Sequence, residues 1–374
     1  MKRQLLGVAA ILLSISTYAQ DNPLWMRYCA ISPDGTTIAF TYKGDIYTVP
    51  STGGRASQIT TNPAHDTKPI WSPDGKKIAF ASDRMGSMDI FEVNKEGGIP
   101  KRLTTHSGNE TPVAYKDAGH ILFLANIMPT AEDAQFPSGQ FQQVYEVNTE
   151  GGRPILFSSM PMEDISINHT GNTLLYHDKK GYEDPWRKHH TSSITRDIWL
   201  CSLNGNRTFR KQTAFNGEDR TPVWASDDKS FYYLSEEKGS FNIFKRDIDG
   251  NTSKQITNHT KHPVRFLSAA SNGTLCYGYD GEIYTVKEGA IPQKVQISIV
   301  TDKNDKDLIR QIKRSGATEI SLSPDAKEIA FVLRGDVYVT STEYSTTKQI
   351  TNTPQQLSLI HISEPTRRVV ISYA

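Results

Sequence analysis

Hydrophobic and polar positions along this chain form a pattern that returns seven times. Its fullest copy has a polar turn at Ser72–Gly75, the apolar run Lys77–Ser82, the acidic-aromatic segment Asp89–Val93 and a closing segment at Arg102–Thr104. Short segments rich in Ile, Val, Phe and Tyr and bounded by Gly, Asp and Pro are typical of β strands. A repeat of about forty residues indicates a solenoid, an array or a propeller.

The aliphatic residue at the centre of the third strand marks the register of the repeat. It recurs at Ile46, Ile90, Val144, Ile198, Ile243, Ile283 and Val337. The steps between successive centres are 44, 54, 54, 45, 40 and 54 residues. The shorter steps correspond to the bare unit, and the longer ones contain insertions or a linker.

The turns between these segments have a recognisable chemistry. Ser32–Gly35, Ser72–Gly75 and Ser323–Asp325 place Pro, Asp and, in two copies, Gly where a tight turn needs them, and a second turn follows the third strand at Thr52–Gly54. Proline fixes φ, aspartate bonds nearby backbone and glycine accepts a positive φ. Four short strands joined by such turns predict one four-stranded antiparallel propeller blade in an all-β fold, with a stack of open β-sheets as the alternative.

The units are not evenly distributed along the chain. Thr301–Gly316 is strongly charged and contains no blade strand, so we interpret residues 301–316 as a linker. Six units lie before it, in residues 21–300, and one follows in residues 317–356. Unit one begins with its own inner strand, Trp25–Ile31, and unit six is expected to end with its own outer strand, Lys294–Val300. We therefore expect ring closure by packing of blades one and six, without an exchanged strand.

The first residues are typical of a targeting segment. Lys2 and Arg3 precede the apolar run Leu5–Ile15, and Thr17–Ala19 places small residues at a cleavage position. Residues 1–19 are therefore predicted to be a cleaved signal peptide, with an uncleaved membrane anchor as the alternative. No other segment approaches the ~20 apolar residues of a membrane helix, so we expect no membrane span after cleavage.

Charge and cysteine content exclude some classes of function. The formal net charge is +1 with both signs interleaved, so no general field favours nucleic acid or an anionic membrane. The three cysteines, Cys29, Cys201 and Cys276, lie in or beside strands of different blades. They are expected to be buried small hydrophobes and not a disulfide framework, with a reactive thiol as the alternative.

Two insertions, Ala125–Gln143 and Asp178–Arg196, interrupt the bare unit, and long loops on a rigid scaffold often carry function. The adjacent His189 and His190 point in opposite directions on an extended chain and cannot chelate one ion together. The second insertion also carries two acids and three cations that could bind an anion or pair with each other: Glu183, Asp184, Arg187, Lys188 and Arg196.

Other candidate chemistry gives no site. Asp45, Asp89, Asp197 and Asp336 recur at one point of the unit, so we expect them to cap turns or accept backbone N–H groups, with calcium binding as the alternative. The nucleophile-elbow, zinc-protease, P-loop and dinucleotide motifs are absent from the sequence. No catalytic, cofactor-binding or metal-binding residue is assigned, and no cofactor is expected.

The repeat Pro-x-Trp-Ser-Pro-Asp-Gly, Ile-Ala-Phe, Asp-Ile-Phe and Leu-Thr resembles the TolB-type propeller repeat of TolB, prolyl-oligopeptidase relatives and tricorn proteases. The insertion that runs from Glu183 through Trp186, His189 and His190 to Trp199 is specific to fewer families than the repeat is. It resembles the fourth-blade segment of bacterial tricorn-type serine peptidases, especially secreted ones of the Bacteroidetes kind. The resemblance covers residues 21–356.

The resemblance implies a six-bladed propeller followed by a seven-bladed one, a PDZ domain and catalytic domains. Residues 317–356 would then be the first blade of a truncated second propeller. The serine nucleophile and histidine base of the family lie beyond this region, so no catalytic residue is carried over. The implied role is a substrate or product gate and a docking scaffold in a periplasmic or otherwise secreted bacterial peptidase.

The implied partners are peptides or protein segments at the channel and the downstream catalytic domains, with a possible homo-oligomer. A non-enzymatic periplasmic TolB-like binding module is the alternative function. A prolyl-oligopeptidase-type enzyme is disfavoured by the seventh unit after the linker.

The end of the chain departs from the repeat. Leu357–Arg367 reads as the translation of a transposase sequencing adaptor, and Ile371–Ala374 fits its continuation. Residues 357–374 are therefore interpreted as an artefact tail and not as natural protein.

Overall fold

The computed structural model describes residues 23–127, 141–182, 184, 186–187, 192–300, 313–352 and 357. In these ranges the chain forms thirty β strands, and none of the described residues lies in a helix that could cross a membrane. The expectations for the signal peptide, for most of the linker and for nearly all of the tail fall outside the described residues. The expectation of an all-β fold is confirmed.

Seven antiparallel four-stranded sheets contain nearly all of the strands. Blade 1 consists of β1 (Arg27–Ile31), β2 (Thr37–Tyr42), β3 (Asp45–Pro50) and β5 (Ser57–Gln58), with β4 (Gly54–Arg55) beside it. Blade 2 consists of β6 (Asp66–Trp71), β7 (Lys77–Ser82), β8 (Asp89–Asn94) and β9 (Lys101–Arg102). Blade 3 consists of β10 (Thr111–Asp117), β11 (His120–Ala125), β12 (Gln143–Asn148) and β13 (Ile155–Ser158).

The other four sheets repeat this order. Blade 4 consists of β14 (Met162–Ile167), β15 (Thr173–Asp178), β16 (Ile198–Ser202) and β17 (Thr208–Lys211). Blade 5 consists of β18 (Asp219–Trp224), β19 (Ser230–Ser235), β20 (Asn242–Asp247) and β21 (Ser253–Gln255). Blade 6 consists of β22 (Arg265–Ala269), β23 (Leu275–Tyr279), β24 (Glu282–Val286) and β25 (Gln293–Lys294), followed by β26 (Ile297–Ser298). The seventh sheet consists of β27 (Thr318–Leu322), β28 (Glu328–Leu333), β29 (Asp336–Ser341) and β30 (Thr347–Gln349).

The first six sheets form a closed ring. Each inner strand contacts the inner strand of the next blade, in the order β1, β6, β10, β14, β18 and β22, and β22 contacts β1. The core lies between neighbouring blades: at the closure, Ile38 and Phe40 of blade 1 pack with Cys276, Ile283 and Val295 from the end of the ring. The four-stranded propeller blades are confirmed, and the alternative of an open stack is excluded by the contact between β22 and β1.

Ring closure differs from the sequence-based expectation. The outer strand of blade 6 is Gln293–Lys294, not Lys294–Val300, and the following Ile297–Ser298 pairs in parallel with Gly54–Arg55. The Gly54 amide donates to the Gln296 carbonyl at 2.8 Å. Gly53 allows this approach, because it has a φ of +93° and a Cβ there would lie 2.7 Å from the Gln296 oxygen. The ring is therefore closed by a short strand pair as well as by packing.

The closing Ile/Leu-Thr motif has a hydrogen-bonding role. The Thr104 hydroxyl oxygen accepts the Ile90 N–H at 2.9 Å, so a buried backbone donor finds a partner where the outer strand leaves the ladder. The same bond recurs in other sheets from Ile46 to Thr60, Ile198 to Thr213, Ile243 to Thr257 and Val337 to Thr351.

The three cysteines are free and buried, which confirms their interpretation as small core residues. The Cys29 and Cys276 thiols meet at the interface between blades 1 and 6. Burial, with the neighbouring Cys29, raises the pKa of the Cys276 thiol well above its usual value, so this thiol is kept protonated and unreactive.

Candidate functional site at the mouth of the propeller channel

A bulge in the inner strand recurs in most blades and directs one side chain toward the axis. The residue at the bulge has a left-handed φ in five blades, at Tyr28, Lys68, Asp164, Thr221 and Phe266. The strand register shifts at the same place in each of them. A bulge turns a side chain out of the regular alternation, and here it places these five on the wall of the central channel.

Two cavities meet at one end of this channel. The channel itself has a volume of about 580 Å³, and a vestibule of about 990 Å³ lies between the propeller face and the seventh sheet. Five residues line both cavities, namely Tyr28, Lys68, Trp186, Arg265 and Phe266. We call these five residues the mouth, because anything passing from one cavity to the other contacts them.

The second insertion reaches the mouth because Arg187 anchors it between blades. The Arg187 guanidinium donates to Glu218 and to Glu236, each at 2.8 Å, and its side chain is almost fully buried. Burial alone would raise the pKa of Glu218, but the nearby Arg220, Arg196 and Arg187 hold it below its usual value. Glu218 is thus a charged, buried acceptor that joins the insertion of blade 4 to blade 5.

Trp186, next to this anchor, spans the closure of the ring. The Arg27 guanidinium carbon lies 4.7 Å from the Trp186 ring centroid, and that of Arg265 lies 5.1 Å away. The Trp186 ring also meets Phe266 edge-on, with centroids 5.9 Å apart. Arg265 donates to the Trp186 carbonyl at 2.8 Å, so the insertion is attached to blades 1 and 6 as well. A half-exposed indole held between two cations is suited to contact a passing chain.

Three arginines stand at one register position on adjacent blades, immediately before the bulge. They are Arg220 of blade 5, Arg265 of blade 6 and Arg27 of blade 1, and we call them the arginine arc. Burial lowers the pKa of Arg265 to about 9, with added repulsion from Arg220 and Arg27. Burial also lowers the pKa of Arg27, against the opposing charge of Glu319. Arg265 of the mouth, with Arg220 on the channel side and Arg27 on the vestibule side, therefore forms a partly desolvated group of cations.

A second charged cluster lies farther along the channel wall. Glu163 accepts hydrogen bonds from Lys179 at 2.7 Å and pairs with His177 Nε2 at 3.2 Å. Burial would raise the pKa of Glu163, but His177 and Lys179 hold it far below its usual range. The other His177 nitrogen accepts the Thr221 N–H at 3.3 Å. This imidazole is therefore engaged by a carboxylate and a backbone amide, and it does not form a serine-activating pair.

The structure places the sequence-selected insertion residues as follows. Arg187 and Arg196 pair with Glu218 of the next blade, whereas acids within the insertion had been expected. The Asp184 carboxylate instead accepts the Trp186 N–H at 2.8 Å. Glu183, Lys188, His189 and His190 lie outside the described residues, as does most of the first insertion.

The expectation for the recurring aspartates is partly wrong. They are structural, but their partners are cations and not backbone N–H groups. The pairs are Asp45 with Arg334, Asp89 with Arg102, Asp197 with Lys180 and Lys211, and Asp336 with Lys43. Turn capping belongs to other aspartates, such as Asp74, whose carboxylate accepts the Lys76 N–H at 3.1 Å. Within the described ranges, no three His, Cys, Asp or Glu residues are grouped to hold a metal.

Sequence reasoning missed the mouth itself. Tyr28, Arg265 and Phe266 of the mouth, and the neighbouring Arg27, had no motif to mark them. The signal was available in the repeat, because an arginine precedes the bulge residue in three units.

Comparison with known proteins identifies relatives of this architecture. Residues 23–290 match the family model described as the tricorn protease N-terminal beta propeller domain. The chain is 25% identical over 281 residues to tricorn protease homolog 1 of Streptomyces coelicolor, covering 74% of this chain and 25% of the relative. It is 27% identical over 295 residues to the tricorn protease homolog of Saccharolobus solfataricus, and this match covers 75% of this chain and 26% of the relative.

A crystal structure of the tricorn protease superposes with a TM-score of 0.61 at 20% identity. The superposition covers 88% of this chain and 31% of that one, and it supports the fold. The chain thus spans about a quarter of the length of the curated relatives it matches.

Proposed function

This chain belongs to the tricorn protease N-terminal β-propeller family, and from this premise we propose that it is the N-terminal part of a secreted tricorn-like serine peptidase. The observation that carries the proposal is the family match over residues 23–290 together with a propeller channel that ends in a defined mouth. The catalytic serine and histidine are proposed to lie in domains beyond this region. The described propeller residues would bind the peptide or guide its passage, and they would not cleave it.

The proposed role of the propeller is a gate for substrates or products. The channel and the vestibule are separated by the mouth, so the size and charge of its side chains would decide which peptides pass. Trp186 is central to this role, because it is held over the mouth from a separate blade by Arg187. Rigid anchoring on both sides favours a fixed filter over a swinging lid.

The proposed second role is a docking scaffold, and the seventh sheet supports it. Its inner-strand residues Ile320 and Leu322 are 68% and 57% exposed, whereas their equivalents in blade 1, Cys29 and Ile31, are each 4% exposed. Apolar side chains at core positions of a blade favour burial by a neighbouring blade. We therefore propose that residues 317–356 are the first blade of a second propeller, joined to the first by the linker at 301–316.

The proposed location is the periplasm or the cell exterior of a bacterium, on the basis of the signal-like residues 1–19. Residues 357–374 are proposed to be adaptor-derived, and so they take no part in the function.

The gene itself provides the test. Long sequencing reads across codon 356 are expected to show an uninterrupted frame that encodes further blades, a PDZ domain and a serine hydrolase domain. The encoded protein should hydrolyse peptides, and residues 21–356 alone should not. A stop codon soon after the seventh unit would contradict the peptidase assignment and favour a TolB-like binding module. Hydrolysis by purified residues 21–356, after exclusion of contaminating protease, would contradict the placement of catalysis downstream.

A further inference from the structure

Two of the three cysteines meet at the place where the ring closes. Cys29 lies at the bulge of β1 and Cys276 lies in β23, and both belong to the apolar cluster that packs blade 1 against blade 6. The Cys276 thiol makes a side-chain hydrogen bond with Cys29, and both cysteines are free. Cys29 is 4% exposed and Cys276 is fully buried. The two sulfurs are therefore in contact across the interface between the first and the last blade.

The backbone on both sides fixes this contact. The Ser268 hydroxyl lies 3.4 Å from the Cys29 carbonyl oxygen and 3.4 Å from that of Cys276. The same hydroxyl accepts the Ile31 N–H at 3.0 Å, and the Cys29 thiol donates to the Phe266 carbonyl at 3.4 Å. Both main chains thus converge on one small side chain, as the short reach of a disulfide requires.

A covalent bond would act here on the weakest joint of the ring. Strand pairing between the two ends is limited to the two residues of β26 and β4, with a further backbone bond from the Met26 N–H to the Gly281 carbonyl at 3.1 Å. The two cysteines are about 250 residues apart in the chain. In the chain-entropy model, a cross-link between such distant positions restricts the unfolded chain more than a local one does.

The third cysteine has no such neighbour. Cys201 lies in β16 of blade 4, and its apolar cluster contains no other cysteine. Its thiol lies 3.5 Å from the Ser202 carbonyl oxygen. Cys201 therefore provides an internal control for any chemistry that depends on the pair.

We propose that Cys29 and Cys276 form a disulfide bond that locks blade 1 to blade 6 when the chain folds in a thiol-oxidising compartment. The inference rests on the proposed location outside the cytoplasm, where disulfides persist, and adds a covalent modification of the ring. The oxidant is a disulfide of the glutathione class. One cysteine thiolate attacks it and releases a first thiol, and the second cysteine then attacks the mixed disulfide and releases another. One S–S bond forms in the protein, one breaks in the oxidant, and two protons pass to the released thiols.

The bond should form before the ring has fully closed. Burial, with the neighbouring Cys29, raises the pKa of the Cys276 thiol, and the thiolate is the form that attacks a disulfide. Oxidation of the closed ring is therefore slow, and local opening of the joint between blades 1 and 6 accelerates it. The same burial protects the bond from reductants once it has formed.

Refolding of the purified chain from denaturant in a buffer of oxidised and reduced glutathione tests the bond. Alkylation in denaturant is expected to count three free thiols in the reduced chain and one after oxidation, because the pair consumes two of the three. Proteolysis without reductant should yield one linked peptide pair that contains Cys29 and Cys276. The thermal midpoint of the oxidised chain is expected to exceed that of the reduced chain by about 5 °C.

Matched variants assign the effect to the pair. Cys29→Ala and Cys276→Ala should each keep two free thiols after oxidation and lose the difference in midpoint. Cys201→Ala is the control, and it should still form the bond and retain no free thiol. Alanine leaves no unpaired hydroxyl in the core, as serine would. The parent chain provides a test that needs no variant, because sub-denaturing urea should accelerate oxidation of the folded, reduced protein.

The outcomes separate the disulfide from the proposed location. Three free thiols after oxidative refolding, or a bond that involves Cys201 or a second chain, would overturn the disulfide and leave the location unaffected. Thiols trapped by alkylation in protein isolated from the bacterium that encodes it test the location. A linked pair there supports both proposals, whereas a reduced pair in a protein that forms the bond on refolding would contradict the location and not the pairing.

Discussion

Lys43 Nζ lies 3.0 Å from Asp336 Oδ1, and this contact joins two turns that have the same sequence pattern. Lys43-Gly44-Asp45 links the second and third strands of blade 1, and Arg334-Gly335-Asp336 occupies the same place in the seventh sheet. The reciprocal pair, Arg334 with Asp45, is 3.3 Å long. Each turn therefore supplies a cation to the carboxylate of the other.

The backbone strengthens this contact. Arg334 also donates to the Lys43 carbonyl at 3.1 Å and to the Pro63 carbonyl at 2.7 Å. Gly44 leaves room for the Arg334 side chain, because a Cβ at position 44 would lie 2.5 Å from Arg334 Nε. The seventh sheet is thus held against blade 1 by two equivalent turns, one from each sheet, that form reciprocal ion pairs.

Reversing one charge in this contact should loosen the docking. Lys43→Asp places a second carboxylate opposite that of Asp336, so amide hydrogen exchange in residues 333–341 is expected to accelerate. Combining it with Asp336→Lys restores opposite charges and should slow exchange again. The coupling energy is expected to be about 0.5–1 kcal/mol, as for partly exposed ion pairs. Lys101→Asp, in the exposed pair with Glu150, is the control. A double variant that exchanges as fast as the single one would contradict the pairing.

Removal of the anchor under the second insertion should be far more costly. Arg187→Met removes one of the cations that pair with the buried Glu218 and the cation that pairs with the partly buried Glu236, and breaking such a pair destabilises by about 3 kcal/mol. Chemical denaturation measures this change. Arg210→Met breaks an exposed pair and is expected to cost less than about 1 kcal/mol. Equal effects of the two substitutions would show that Arg187 does not hold the insertion.

Replacing the threonine of the closing Ile/Leu-Thr motif by valine, which has the same shape, tests the hydrogen bond that recurs between this hydroxyl and the third strand. Thr104→Val keeps the shape of the side chain but leaves the Ile90 N–H without an acceptor, so it should cost about 1–3 kcal/mol. Thr208→Val, on the exposed outer strand β17, should be nearly neutral. Thermal unfolding of both variants provides the comparison, and similar midpoints would refute the role of the motif.

The parts of the fold that were predictable are those encoded locally. Strand alternation and the Ser-Pro-Asp-Gly turns act over a few residues, so the blades could be read from the chain. Contacts that join distant units could not be read in this way. The anchor at Arg187 reaches Glu218 across 31 residues, and Arg27 approaches Arg265 only because the ring closes. Ring closure by β26 was missed because two residues of parallel pairing leave no pattern in a sequence.

Glu110 should make a contribution to stability that falls as the pH rises from about 4.5 to about 7. Its side chain is fully buried between blades 2 and 3, and burial raises its pKa to about 7. Asp89 adds to the rise, while the Thr104 hydroxyl and Arg102 oppose it. The folded protein therefore holds a proton that the unfolded chain has already released in this range, and folding is favoured on the acidic side.

Glu110→Gln replaces the protonated carboxyl by a permanently neutral group. The variant is expected to be more stable than the parent by about 3 kcal/mol at pH 8 and by less than about 1 kcal/mol at pH 5. Asp45 and Asp219, whose burial raises their pKa to about 7 and about 6, act in the same direction, so part of the slope persists in the variant. Glu150→Gln, at an exposed carboxylate paired with Lys101, is the control and should not change the slope. Thermal midpoints between pH 5 and pH 8 measure the effect. An unchanged slope in Glu110→Gln would mean that this carboxyl is already ionised in the folded blade interface.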